Sequence, residues 1–316
     1  MKKTVIALMA ACSLIACGNS QKSDKQAADT DSTAVAKEDE IDPDVPEETG
    51  VIEYNGSKLD LGTGEWTVNG VHYDFAYVKG GTFTMGAAAD DADAADEEKP
   101  AHKVTITKGY YIGKTEVTVG FWKAVMGSNP PGNLELTDND PVQNVSWEQC
   151  EEFIATINAK FGAELLDWCL PTEAEWEFAA RGGNKSKGYK YSGSNNLDDV
   201  AWYTSNFYGH DEDAFEGSYP QVALKKPNEL GIYDMSGNVD EWCFDEYAEY
   251  TDEAQEDPKV EIMGDFRVIR GGNQLSKSKS CRVTRRVSRY GKEDFNPLTG
   301  FRLVFKHYQQ EDGEEE

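Results

Sequence analysis

Apolar positions in this chain come in short runs whose spacing changes from one segment to the next. Tyr73 to Val78, His102 to Ile106, Tyr110-Tyr111-Ile112 and Arg267 to Ile269 are rich in aromatic and β-branched residues, which predicts strands. Helical spacing appears at three places. Ser146-Trp147-Glu148-Gln149 has the spacing of a capping box, with Val145 placed as a hydrophobic staple. Cys150, Phe153, Ile154 and Ile157 then follow at helical period. Thr172-Glu173-Ala174-Glu175 forms a second box, leading into Trp176, Ala179 and Ala180. A third helix is predicted from Thr118 to Met126, stopping at Gly127. Few helices among many short strands and long loops predict an irregular α+β domain. No internal repeat is visible.

The two ends differ from this pattern. Met1-Lys2-Lys3 precedes an apolar segment, Val5 to Ala16, that is too short to span a bilayer. It runs into Leu14-Ile15-Ala16-Cys17, which resembles the lipobox of bacterial lipoproteins. That resemblance implies a signal peptide over 1–16 and acyl chains on Cys17. The membrane would then be a partner and the location the cell envelope, lipid-anchored and either periplasmic or surface-exposed. Residues 17–52 are polar, acidic and poor in aromatics, which predicts a disordered tether. Residues 53–306 are long enough for one domain with a real core, and 307–316 read as an acidic tail.

Charge narrows the partners. With 31 Lys and Arg against 58 Asp and Glu, the formal net charge is −27. Phosphate binding needs clustered cations, so nucleic acid is not expected as a partner and anionic membrane surfaces are poor ones. The run Asp90 to Glu98 lacks a glycine turn or fixed ligand spacing, and reads as a solvated loop rather than a cation site.

Five motifs in order carry more information than composition does. They are Val78-Lys79-Gly80-Gly81-Thr82-Phe83-Thr84-Met85-Gly86, Leu170-Pro171-Thr172-Glu173-Ala174-Glu175-Trp176-Glu177, Gly237-Asn238-Val239-Asp240-Glu241-Trp242, Arg270-Gly271-Gly272 and Gly300-Phe301-Arg302-Leu303. From Ala76 to Phe305 their order and spacing resemble the formylglycine-generating enzyme, or sulfatase-modifying factor, family. The resemblance implies a C-type-lectin-like fold. It also implies a choice, because that family includes both copper oxidases and members without that chemistry.

In the oxidases, two cysteines five positions apart grip Cu(I) through both sulfurs. Aligned from Arg270-Gly271-Gly272, the second falls on Cys281 and the first on Ser276. Cu(I) prefers soft thiolate, and an alcohol is hard and does not ionise at neutral pH. Copper is therefore not expected, with Cys243 and Met263 the remaining sulfur candidates. The four histidines, His72, His102, His210 and His307, are scattered without metal-ligand spacing. No nucleophile elbow or phosphate-binding loop appears. Cys150, Cys169, Cys243 and Cys281 could pair, and a Cys169–Cys243 bridge is one hypothesis.

Calcium is the metal the resemblance supports. The family's first site maps onto the side chains of Asp234 and Glu241 and the carbonyls of Gly237 and Val239. A second maps onto Asn206, Phe207, Asp213 and Phe215. Mixed carboxylate and carbonyl oxygens suit Ca²⁺, which takes about 6–8 of them. Arg282, Arg285, Arg286 and Arg289 form a basic cluster in the part of the fold where the family has its substrate groove. Arg282, Arg285 and Arg286 are the expected groove residues, and Arg302 is expected to pair with a core carboxylate. The functional expectation is a calcium-stabilised binding or accessory module, taking a peptide, glycan or envelope protein. The alternative is an oxidase that makes formylglycine in exported sulfatases.

Overall fold

The computed structural model describes residues 49–307 apart from 133–134, 162–165, 208–218, 262–263 and 292–296. The lipobox with Cys17, most of the tether, nearly all of the tail, Asp213, Phe215 and Met263 lie outside the described residues.

The strands begin with β1 (Val51–Tyr54), β2 (Ser57–Asp60), β3 (Trp66–Val68) and β4 (Val71–His72). Next come β5 (Phe75–Val78), β6 (Gly81–Met85), β7 (His102–Ile106) and β8 (Tyr110–Gly113). Helices α1 (Val119–Met126) and α2 (Trp147–Phe161) lead to β9 (Leu166–Cys169) and α3 (Glu173–Ala180). After the single turns α4 (Leu197–Val200) and α5 (Thr204–Phe207) follow β10 (Asp240–Glu246), β11 (Gln255–Glu256) and β12 (Phe266–Arg270). Then come β13 (Arg286–Tyr290), β14 (Thr299–Gly300) and β15 (Val304–His307).

All three predicted helices form where the caps place them. Thr118 accepts from Phe121 N, and Gly127 closes α1 in the left-handed region at φ +75°. Ser146 and Gln149 exchange the two bonds of a capping box, as do Thr172 and Glu175. Each box satisfies two otherwise orphaned amides.

The strands make small sheets rather than one large one. Their orders are β1-β2-β3-β4, β5-β8-β15-β9, β11-β7-β6 and β13-β12-β10-β14. The irregular α+β expectation holds. The first sheet corrects the tether, which was expected to reach residue 52, because β1 already begins at Val51. Asn55-Gly56 and Asn69-Gly70, all at positive φ, close its first and third hairpins. Both residues of a type I′ turn need positive φ, which Asn and Gly tolerate best.

The first sheet is tied to the rest through aromatics. Trp66 of β3 stacks on Trp168 of β9 at 4.3 Å and meets Phe121 of α1 edge-on at 5.0 Å. Trp122 and Phe153 join α1 to α2 at 4.9 Å. Each such ring buried contributes about 1.5–3 kcal/mol. A second apolar cluster joins Trp176 and Phe178 of α3 to Cys243 and Val268 of the β13-β12-β10-β14 sheet.

Candidate functional site

The motifs converge at one end of that sheet. Arg270, Arg282, Arg286 and Arg302 are all buried, at 1–2% exposure or less. Each has a carboxylate. Arg302 grips both oxygens of Glu241 at 2.5 and 2.6 Å, and Trp176 Nε1 donates to the same group at 2.7 Å. Arg286 grips Glu173 at 2.6 and 2.7 Å and lies over the Tyr250 ring at 3.8 Å. Arg270 pairs with Glu177 and Glu173, and Arg282 with Glu98 at 2.6 Å. A buried charge left unpaired costs several kcal/mol, so these partners are obligatory.

This corrects two expectations. Arg282 and Arg286 do not face a groove, because each is already bound to a core carboxylate. Nor is the acidic run wholly solvated, since Glu98 is sealed against Arg282 and Asp93 binds Lys190 and Lys279. Those two lysines hold the Asp93 carboxyl low, at about 2. The cause of the first correction is strand geometry. On β13 Arg286 points inward while Val287 and Arg289 take the other face.

On that other face lies a small cavity of about 150 Å³. Asp240, Asn273, Ser276, Ser280, Arg285 and Arg289 line it, over the Gly271-Gly272 floor. Gly272, at φ +71°, passes so close to the next turn that a Cβ would sit 2.7 Å from Ser280 O. Asn273 Nδ2 donates to Asp240 at 2.6 Å. Burial lifts the Asp240 carboxyl to about 6, against the opposing pull of Asn273 and Arg289. Arg289 is exposed, and Arg285 is half-buried with only long contacts to Glu97 and Glu98, at 3.9 and 3.8 Å.

Ser276 and Cys281 behave differently here. The Ser276 hydroxyl accepts from Asn273 N at 3.0 Å, and its carbonyl accepts from Thr204 at 2.9 and 3.0 Å, so the residue holds a turn. Cys281 is fully buried in a cluster with Tyr191, Leu197, Val200 and Ala201. Burial, with Asp240 adding to it, pushes its thiol up to about 12. One protonated thiol and one engaged alcohol do not fit Cu(I), which needs thiolate. The Cys169–Cys243 hypothesis is not realised either, since Cys150, Cys169, Cys243 and Cys281 are all free thiols.

The calcium residues occupy a different place, along the turn that leads into β10. Asp234 adopts φ +59°, and one of its oxygens accepts from Ala223 N at 2.7 Å. Its other oxygen is buried with no partner, as are Glu116 Oε2 and Asn238 Oδ1. Gly237 is required there, because a Cβ would come within 2.1 Å of Trp202 O. Burial lifts Asp234 to about 6 and raises Glu116, with neighbouring carboxylates reinforcing both shifts. Three buried carboxylates thus share Arg302, an excess of negative charge with acceptor capacity to spare. Among the described residues no three acidic, His or Cys side chains converge on one point. A cation would therefore need backbone carbonyls beside Asp234 and Glu241, a donor set that fits Ca²⁺. Sequence reasoning missed Glu116, a lone acid between apolar runs just before the Thr118 cap. At the second expected site the Asn206 oxygen accepts from Tyr203 N at 2.9 Å, and Phe207 is half-buried.

Residues 69–307 match the sulfatase-modifying factor enzyme 1-like domain. The chain is similar to the chaperone protein LppX of Paenibacillus barcinonensis, 34% identical over 73% of this chain and 89% of that one. It is also similar to the formylglycine-generating enzyme of Streptomyces coelicolor, 29% identical over 66% of this chain and 81% of the enzyme. Among solved structures, Treponema denticola variable protein 1 superimposes with a TM-score of 0.64 at 30% identity. That superposition covers 76% of this chain and 97% of the other.

Proposed function

The chain belongs to the sulfatase-modifying factor enzyme 1-like family, and from that membership we propose that it acts as a binding or accessory module, not as an oxidase. One observation carries this reading. The Ser276 hydroxyl is spent on a backbone amide, and the Cys281 thiol faces an apolar cluster with its proton held on. The cavity beside them keeps an acceptor, Asp240, and two cations, Arg285 and Arg289, with no ion pair closer than 3.8 Å among the described residues. Such groups recognise a polar segment of a peptide, glycan or envelope protein. A relative named as a chaperone supports an accessory role.

Calcium belongs to the same proposal. Asp234 and Glu241 would hold it with the carbonyls of Gly237 and Val239, and Glu116 would contribute charge from nearby. Bound there, the ion would fix the turn that leads into β10. The lipobox at Cys17 supports a lipid anchor in the cell envelope, and no helix among the described residues is long and apolar enough to cross a membrane.

The decisive experiment incubates copper-loaded protein with a Cys-x-Pro-x-Arg peptide under oxygen and follows the peptide by mass spectrometry. The peptide thiol is expected to persist. An aldehyde product would overturn the proposal and establish the oxidase.

A further inference from the structure

A larger cleft lies elsewhere, where the N-terminal sheet meets the start of α1. It holds about 820 Å³, in the range of small-molecule sites. One wall is Asn69 to Asp74, and the opposite wall is Lys114 to Ala124 with Asn139, Val222 and Tyr233. Strands β1 to β3 precede the residues matched to the family, so most of the sheet that supports the first wall is an addition to the family domain. That wall is firmly held. Asn69 Nδ2 donates to Ala124 O at 2.9 Å, and Tyr73 Oη to Thr115 O at 2.9 Å.

Many polar groups around the cleft are already engaged, Lys123 with Asp138 at 2.8 Å and Thr67 with His72 at 3.0 Å. Four are not. Asp74 Oδ1 is buried without a partner. The Lys114 ammonium forms no ion pair among the described residues, although its backbone N–H donates to Asp74 O at 2.8 Å, just before β5. The Tyr233 hydroxyl and the Asn139 amide likewise make no side-chain hydrogen bond among the described residues, although both residues line the same space.

We propose that this cleft is a second ligand site, for a neutral oligosaccharide. A carboxylate only accepts and an ammonium only donates, whereas each sugar hydroxyl does both. A hydroxylated ligand can therefore satisfy Asp74, Lys114, Asn139 and Tyr233 together without importing charge. An anionic ligand would meet Asp74 and Asp138, and a cationic one Lys114 and Lys123. The small apolar surfaces of Gly70, Val71, Gly120 and Ala124 suit the flat C–H faces of a pyranose. An extended peptide has less to hold it, because β4 at the sheet edge has only two residues to pair with.

The test titrates the full chain with neutral trisaccharides of glucose, mannose, galactose and N-acetylglucosamine, using calorimetry and ligand-observed NMR. At least one is expected to bind. Asp74→Asn and Lys114→Met should each weaken it about tenfold or more, as expected for a lost hydrogen bond to a charged group. Tyr233→Phe and Asn139→Ala provide variants that remove one polar group each and leave the buried carboxylate intact, and should weaken binding less. Lys79→Met, an exposed lysine outside the cleft, should leave affinity unchanged. The proposal fails if no trisaccharide binds at millimolar concentration, or if all four cleft variants, folded by circular dichroism, bind as the parent does. It also fails if an unrelated peptide displaces the sugar from the cleft.

Discussion

Arg286 and Arg289 sit three residues apart on one strand and lead opposite lives. Arg286 is sealed between Glu173 and the Tyr250 ring, whereas Arg289 is exposed at the rim of the Ser276 cavity. The same contrast divides the whole basic cluster. Arg270, Arg282 and Arg302 are structural cations, each matched to an acid, and half-buried Arg285 stands with Arg289 at the cavity. Charge alone does not separate the two sets; burial against a close acid does.

The largest effect should come from splitting an inner pair. Arg302→Met leaves Glu241 buried without its cation and is expected to cost about 3–5 kcal/mol in urea unfolding. A loss close to zero would mean that the inner arginines are no more structural than the outer ones. Calcium should act next in size. At a hundred times its Kd it should stabilise the protein by about 2.7 kcal/mol, and Asp234→Ala should abolish that gain in thermal unfolding.

Acid–base behaviour gives a third, smaller handle. Burial lifts the Asp245 carboxyl to about 7 from an ordinary 3.8, against the amides of Val260 and Glu173 that donate to it. The folded state then keeps this proton to higher pH than the unfolded chain does. Stability should fall as pH rises from about 4 to about 7, by at most about 1.4 kcal/mol per pH unit from this group. Asp245→Asn should flatten that part of the stability profile, and an unchanged slope would remove Asp245 from the account. Smallest of all, Arg289→Ala should alter stability by no more than about 0.5 kcal/mol. A larger loss in the same unfolding assay would place it among the inner set.

The residues explain why some of this was legible beforehand. Capping boxes at Ser146 and Thr172 are local chemistry, so the helices appeared where the side chains put them. Arg302 was expected to find a core acid because it sits inside Gly-Phe-Arg-Leu, with apolar neighbours on both sides. Arg282 and Arg286 were misjudged for a matching reason. Their partners, Glu98 and Glu173, are more than a hundred residues away, and only the folded register brings them underneath. The N-terminal sheet was missed although its Asn-Gly pairs are strong local signals. Its strands are short and its polar surroundings resemble the tether before it.

Four thiols lie in this domain without a disulfide among them, and burial drives their proton affinity upward in every case. A protonated, sequestered sulfur is a poor nucleophile and resists oxidants as well as alkylating agents. The fold thereby protects cysteine by concealment instead of cross-linking, and the rate at which a maleimide reaches those sulfurs would report how often the domain opens.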